Sequence, residues 1–240
     1  MIAGRVPDLA PRTVARLAGG FYLAFVLASV LAGLVGHIGM GGAGQVYESI
    51  VTNPWSFRLA LVIAYLSAFF FLVAAWGLYV LLGPVNRHLA LLFLLLNVVG
   101  VGIQCASMIP LISALLQQDG AGQLGYSAEQ LQGSAYLSIE VYKTAFATAQ
   151  LFFGTWLFPL GYLVFKSRFL PRILGVILML DGVGVMVWFL QALLLPAYPE
   201  ISYPSFALGF IAEVGLALWL LIVAVKDVDA AAVLPGSRQG

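Results

Sequence analysis

Six long apolar runs, separated by short polar segments, dominate this sequence. They cover roughly residues 14–36, 56–82, 89–116, 138–165, 172–195 and 204–225. A helix needs about 20 mostly apolar residues to cross the hydrocarbon core of a bilayer, and each run reaches that length. Lipid leaves only helices or closed barrels as spanning structures, and the alternating pattern of a barrel is absent. The sequence therefore predicts an all-α, polytopic membrane protein, a bundle of six transmembrane helices.

Composition supports this class of protein and excludes others. Of the 240 residues, 62% are hydrophobic and 9% are charged, whereas soluble domains are about 45–50% apolar and about 25% charged. The net charge of +1 lacks the clustered basic surface of a nucleic-acid-binding domain, so we expect no nucleic-acid partner. Membrane lipids are the expected surroundings.

The basic residues predict the orientation of the bundle. Nine of the eleven Lys and Arg residues flank the runs on one side: Arg5, Arg12, Arg16, Arg87, Lys166, Arg168, Arg172, Lys226 and Arg238. Because short cytoplasmic segments carry an excess of Lys and Arg, that side is expected to be cytoplasmic, with both termini inside. We expect one domain over residues 1–227 and a short polar tail over 228–240. The first apolar stretch is too long for a cleaved signal peptide, which favours an uncleaved helix.

The segments on the other side are expected to be outer loops, at about 37–55, 118–137 and 196–203. The string "SAEQ" at 127–130 has the form of a capping box, which indicates a short interfacial helix. The string "GMGGAG" at 39–44 satisfies the pattern of a dinucleotide-binding turn. That reading requires a preceding strand, and a transmembrane helix precedes it here, so a flexible outer loop is the better interpretation.

Residue types that carry metal or covalent chemistry are scarce. His37 and His88 are expected at opposite ends of the bundle, about 30 Å apart, so they cannot share a metal ion. Cys105 is the one cysteine and is expected to be a small buried side chain. No nucleophile-elbow pattern occurs. We therefore predict no metal and no cofactor, and an intramembrane enzyme is disfavoured.

Polar side chains inside the apolar runs are the remaining candidates for a functional site. In helix 4, Glu140, Lys143 and Gln150 recur at helical spacing, and Gln104 in helix 3 lies at comparable depth. Asp181 and Glu213 each lie nine residues from a helix end, which places both about 14 Å deep. The candidates for ligand or proton binding are Glu213, Glu140, Lys143, Gln150, Gln104, Arg58 and Asp181. The alternative is that these groups hold helices together by hydrogen bonds.

The balance of charges within the apolar runs and the spacing of small residues in helix 6 lead to two further expectations. The bundle is expected to contain three acids but only two bases, so the bases cannot neutralise every acid. Because burial disfavours a charged carboxylate, we expect at least one of Asp181 and Glu213 to be protonated at neutral pH. Small or polar residues recur every fourth position in helix 6: Ser205, Gly209, Glu213 and Ala217. This stripe predicts that Glu213 points into the bundle. Its partner stays open between Lys143, Gln150, Arg58 and a proton.

Four strings carry a family resemblance: "ARLAGGFYLAFVLASVLAGLVG" near the start, "YVLLGPVNRHLALL" at 79–92, "GYLVFKSRFLPRILGVIL" at 161–178 and "EVGLALWLLIVAVK" at 213–226. The chain resembles a bacterial family of six-helix membrane proteins known as a domain of unknown function, number four-three-eight-six. The resemblance covers all six helices and implies a bacterial inner-membrane location. It supplies no substrate, cofactor or catalytic residue.

Three classes of function follow from these observations. The first is a non-enzymatic protein that binds or passes a small molecule or ion in an outward-facing polar cavity. We expect that cavity to be lined by Arg58, Gln104, Glu140, Lys143, Gln150 and Glu213. The alternative is an accessory or structural subunit that packs against a partner membrane protein or a second copy of itself. An intramembrane enzyme ranks last.

Overall fold

The protein is helical throughout the part of the chain that the computed structural model describes, which is residues 10–119, 125 and 127–223. Its helices are α1 (Pro11–Gly36), α2 (Ala43–Thr52), α3 (Pro54–Leu82), α4 (Arg87–Ser107), α5 (Ile109–Asp119), α6 (Ala128–Lys166), α7 (Arg172–Leu194) and α8 (Tyr203–Leu218). A 3₁₀ turn, Pro199–Ser202, precedes α8, and a π turn, Trp219–Val223, follows it. Six of the helical segments are long and apolar enough to cross a membrane. The predicted all-α class with six such helices is confirmed, and the predicted tail at 228–240 lies outside the described residues.

Three local predictions need correction. The third span breaks at Met108 between α4 and α5, because Pro110 has no backbone N–H to continue the helical ladder. The capping box forms, with Ser127 and Gln130 satisfying each other's backbone N–H groups, but it starts the 39-residue α6 rather than a separate short helix. The segment that we expected to be the first outer loop contains α2, whose N-cap is Gly42.

The spanning helices form a closed ring in the order α1, α3, α4, α6, α7 and α8, in which each helix contacts the next and α8 returns to α1. Neighbouring helices are antiparallel, as contacts of Gly36 with Ala60 and of Gly77 with Ala18 show for α1 and α3. We call the end of the bundle that carries α2 the α2 end. The other end, where α3 turns into α4 and α6 into α7, is the opposite end.

Glycine contacts hold the helices close together in the opposite half of the bundle. A Cβ on Gly175 would lie 2.5 Å from the Gly161 carbonyl oxygen, and a Cβ on Gly19 would lie 2.7 Å from the Ala217 carbonyl oxygen. These distances leave room for no side chain, so α6 meets α7, and α1 meets α8, backbone against backbone. The predicted close packing of the α8 stripe is confirmed at Ala217.

An aromatic layer crosses the middle of the ring. It consists of Tyr22 and Phe25 from α1, Phe71 from α3, and Phe153 and Trp156 from α6. The Phe25 and Phe71 rings stack with centroids 4.2 Å apart, and Phe71 meets the edge of Trp156 at 5.1 Å. Such pairs add to the stability gained from burial alone. The layer separates a tightly filled half of the bundle from a half that contains open space.

Candidate functional site

A cavity of about 310 Å³ lies between the aromatic layer and the α2 end. Residues from all six ring helices line it, and residues 38–40, which follow α1, line it at the α2 end. Small-molecule sites occupy about 300–1,000 Å³, so the cavity has room for a small ligand. Its wall is mostly apolar, with a few polar side chains.

Two carboxyl groups lie next to each other in this cavity wall. Asp181 on α7 is 1% exposed, and a Cβ on Gly209 would lie 2.9 Å from its Oδ1 atom. Glu213 is one turn further along α8 than Gly209, so it lies on the same face. The glycine at 209 provides the space that the Asp181 carboxyl occupies. The expected common depth of the two acids is confirmed, and they are neighbours.

The Asp181 carboxyl lacks the partners that buried polar groups normally have. Neither of its oxygens accepts a hydrogen bond from the described part of the protein. Most buried polar side chains are hydrogen-bonded, and an unpartnered one calls for an explanation. Glu213 faces the hydroxyl group of Tyr22, which is fully buried on α1. Within residues 10–119 and 127–223, no Lys, Arg or His lines the cavity.

Four of the seven residues that we singled out from the sequence line this cavity: Gln104, Gln150, Asp181 and Glu213. Gln150 is buried, and its amide nitrogen donates to the Phe146 carbonyl 3.3 Å away. These residues come from α4, α6, α7 and α8, so the ring brings together groups that are far apart in sequence.

The other three lie outside the lining, contrary to the expected cavity composition. Arg58 forms a salt bridge with Asp119 near the α2 end, and both side chains are exposed. Glu140 and Lys143 pair with each other at 3.5 Å on an exposed face of α6. For α6 the physical reason is rotation along the helix: at 3.6 residues per turn, Lys143 and Glu140 are turned by about 60° and 120° from Phe146, which lines the cavity. Glu140 and Lys143 therefore point away from the cavity, although they lie on the same helix as Gln150.

Several aromatic residues of the wall were missed from the sequence. Phe146 on α6, Trp188 on α7 and Phe206 on α8 contact each other in a row, with ring centroids 6.0 and 4.9 Å apart. In an apolar chain such residues look like ordinary lipid-facing or core side chains. The Tyr22 hydroxyl was the one available signal, because it is a polar group deep within the first apolar run.

The turn at residues 37–40 covers the α2 end of the cavity. His37 and Gly39 have positive φ angles of 56° and 81°, the left-handed conformation in which glycine is unstrained. The Gly39 N–H donates to the Tyr142 hydroxyl at 2.7 Å, and His37 Nδ1 is hydrogen-bonded to the Ser49 hydroxyl at 2.8 Å. The glycine-rich string therefore builds a tethered turn and the N-cap of α2.

Metal-binding residues do not gather in the described part of the chain, where no group of three or more His, Cys, Asp or Glu side chains occurs. The polar groups that line the cavity are two neighbouring carboxyls, two amides and the hydroxyls of Ser29, Ser67, Ser205 and Tyr142. This set can accept hydrogen bonds and attract positive charge.

Comparison with known proteins found a matching family. The profile of the family described as "Domain of unknown function (DUF4386)" matches residues 17–224. That range contains every residue that lines the cavity. No curated protein and no solved structure matches the chain. Because the family profile covers most of the chain, the protein belongs to the DUF4386 family of multi-pass helical membrane proteins.

Proposed function

We propose that this protein binds a small molecule or ion in the cavity between the aromatic layer and the α2 end, and that it acts as a binding or transport protein. The observation that carries the proposal is the pair Asp181 and Glu213, which lines the cavity with no basic side chain beside it among the described residues. A buried acid without a partner is costly. Ionisable groups inside a membrane bundle are usually functional, and a ligand in the cavity would satisfy this pair.

The alternative role as helix glue is less consistent with the contacts. A side chain that holds helices together needs a hydrogen-bond or salt-bridge partner on another element. Arg58 has one in Asp119, whereas Asp181 has none among the described residues. The three candidate residues outside the cavity, Arg58, Glu140 and Lys143, are thus paired, and Asp181 in the cavity is not.

We further propose that the α2 end faces the outside of a bacterial cytoplasmic membrane and that both termini are inside. The opposite end of the bundle carries Arg87, Lys166, Arg168 and Arg172, and an excess of basic residues favours the cytoplasmic side. The cavity lies toward the α2 end, so its ligand would enter from outside.

Cysteine labelling tests this orientation. In a Cys105→Ala background the chain has no other cysteine. Met40, which is 67% exposed at the α2 end, and His88, which is exposed at the opposite end, are each replaced by Cys. A membrane-impermeant maleimide on intact cells should label Met40→Cys, and His88→Cys only after lysis. The reverse pattern would contradict the proposed orientation.

Native mass spectrometry after gentle purification in lipid nanodiscs tests the binding function. The wild type should carry a small molecule, and Asp181→Asn and Glu213→Gln should lose it. Glu140→Gln is the matched control, because Glu140 is an exposed acid outside the cavity, and it should keep the ligand. Thermal unfolding checks that each variant is folded. An empty wild type that retains a protein partner instead would favour the accessory-subunit function.

A further inference from the structure

The charges around the cavity indicate the sign of the ligand's charge. Asp181 and Glu213 line it side by side, and Tyr22, which can also lose a proton but not gain one, lies against Glu213. Within the described residues, no basic side chain lines the cavity. Two carboxyls that share a site cannot both ionise easily unless a positive charge joins them. An anion would find no positively charged partner in this wall.

The aromatic wall indicates the chemical nature of that positive charge. Phe146, Trp188 and Phe206 line the cavity on one side, and Phe71 and Phe153 of the aromatic layer line it at the middle of the bundle. The faces of aromatic rings attract ammonium groups, which is how proteins recognise quaternary ammonium ligands. A bare metal ion instead requires several oxygen ligands, and no group of three His, Cys, Asp or Glu side chains occurs in the described residues.

The volume of the cavity sets the size of the ligand. At about 310 Å³ it is about twice as large as an engineered cavity of roughly 150 Å³ that binds benzene. By that scale it holds a molecule of about twelve non-hydrogen atoms. This is more than a single ammonium head group needs, so the mostly apolar remainder of the wall would contact an apolar body.

We infer that the ligand is a small organic cation with an ammonium group on an apolar body. The ammonium group lies between the Asp181–Glu213 pair and the row Phe146, Trp188 and Phe206. This inference rests on the proposed binding function and deepens it by naming the ligand class. The unpartnered Asp181 oxygens, buried and in the cavity wall, are the feature that the cation completes.

The test compares two probes that have the same shape and differ in charge. Benzyltrimethylammonium carries a permanent positive charge, and neopentylbenzene has carbon in place of the nitrogen. Isothermal titration calorimetry uses the full-length protein in nanodiscs, with protein-free nanodiscs subtracted to remove partitioning into lipid. We expect the cation to bind about tenfold more tightly or better, because its attraction to the acids and ring faces is lost in the isostere.

Two sets of variants assign the preference to the cavity. Asp181→Asn and Glu213→Gln should each remove most of it, and Glu140→Gln should not. Trp188→Leu should weaken binding of the cation several-fold and leave the isostere nearly unchanged. Trp76→Leu is its control, because Trp76 is exposed on α3 and does not line the cavity. If Asp181→Asn does not fold, Glu213→Gln and the wild-type comparison of the two probes carry the test.

The outcomes separate this inference from the proposed function. Equal binding of both probes, or native mass spectrometry that identifies a neutral or anionic ligand released by Asp181→Asn, would overturn the cation inference and leave the binding function intact. No binding of either probe together with an empty wild-type protein would overturn both. Tighter binding of the cation that persists in Asp181→Asn and Glu213→Gln would overturn the assignment to this cavity.

Discussion

The two halves of the bundle use the same six helices in different ways. In the opposite half, glycines let backbones touch, as Gly161 and Gly175 do between α6 and α7. In the half between the aromatic layer and the α2 end, which we call the α2 half, bulky aromatic side chains such as Trp188 and Phe206 separate the helices and line a cavity. Helix α8 belongs to both: its Ala217 packs against Gly19, and its Glu213 lines the cavity.

The difference shows where the protein can hold an ionisable group. Close backbone contact excludes water and ligand and gains stability from packing, since membrane helices lack a hydrophobic driving force toward each other. The cavity gives up those contacts around Asp181 and Glu213. We therefore expect substitutions at the glycine contacts of the opposite half to lower stability, and substitutions of the two cavity acids to abolish binding without lowering stability.

The largest expected effect is the loss of stability on adding a methyl group at the tightest helix contact. In Gly175→Ala, the new Cβ would meet the Gly161 carbonyl oxygen at 2.5 Å and the Phe165 backbone nitrogen at 2.6 Å. Because backbone must shift, we expect a loss of about 1–3 kcal/mol or more in the free energy of unfolding. Unfolding of the protein in mixed micelles measures it.

The control for this substitution is Gly102→Ala, where a Cβ has open space around it. Alanine favours the helix over glycine by up to about 1 kcal/mol, so this variant should be as stable as the wild type or slightly more stable. Equal losses at both positions would show that close contact is not what separates the two halves.

The next effect has the opposite sign. Asp181→Leu replaces an unpartnered buried carboxyl by an apolar side chain, which removes the cost of leaving its oxygens unsatisfied. We expect a gain of about 1–2 kcal/mol in stability together with loss of ligand binding. Glu140→Leu, at an exposed position, should change stability by less than about 0.5 kcal/mol. A less stable Asp181→Leu would make the carboxyl a structural group.

Binding of the cationic probe should also depend on pH. The titratable groups at the site are Asp181 on α7, Glu213 on α8, Tyr22 on α1 and Tyr142 on α6. As the pH falls, the carboxyls gain protons and lose their attraction for a cation whose own charge is permanent. The affinity of benzyltrimethylammonium should therefore fall with decreasing pH, by at most about tenfold per unit for one exchanged proton. Calorimetry of the Asp181→Asn, Glu213→Gln double variant should give a flat profile.

The smallest effect concerns the exposed salt bridge at the α2 end. Arg58→Gln removes the pair with Asp119, and both side chains are exposed. Exposed pairs contribute about 0–1 kcal/mol, so stability should change little and probe affinity not at all. A large loss of probe affinity would instead show that Arg58 contributes to the ligand site, as we expected from the sequence.

The sequence predicted the features that depend on length and spacing along one helix. Six spans followed from the length of the apolar runs, and the common depth of Asp181 and Glu213 followed from the rise per residue. The close packing of the Ser205–Ala217 stripe followed from spacing within α8, and the structure confirms it at Gly184 and Gly19.

The features that the sequence did not predict depend on how each helix is rotated about its own axis within the ring. The exposed position of Glu140 and Lys143, and the contact of Tyr22 with Glu213, are set by packing of α1, α6 and α8 against their neighbours. The direction in which each side chain points from the helix axis decides which polar group reaches the cavity. Glu140 and Gln150, for example, differ in this direction by about 80°.

Diffraction from crystals soaked with 4-bromobenzyltrimethylammonium tests the central claim most directly, because the anomalous signal of bromine locates the probe without interpretation of weak density. The proposed binding mode predicts a bromine peak inside the ring, within the cavity lined by Asp181 and Glu213, and its absence in crystals of Asp181→Asn. Peaks confined to the lipid-facing surface, with an empty cavity in the wild type, would contradict it.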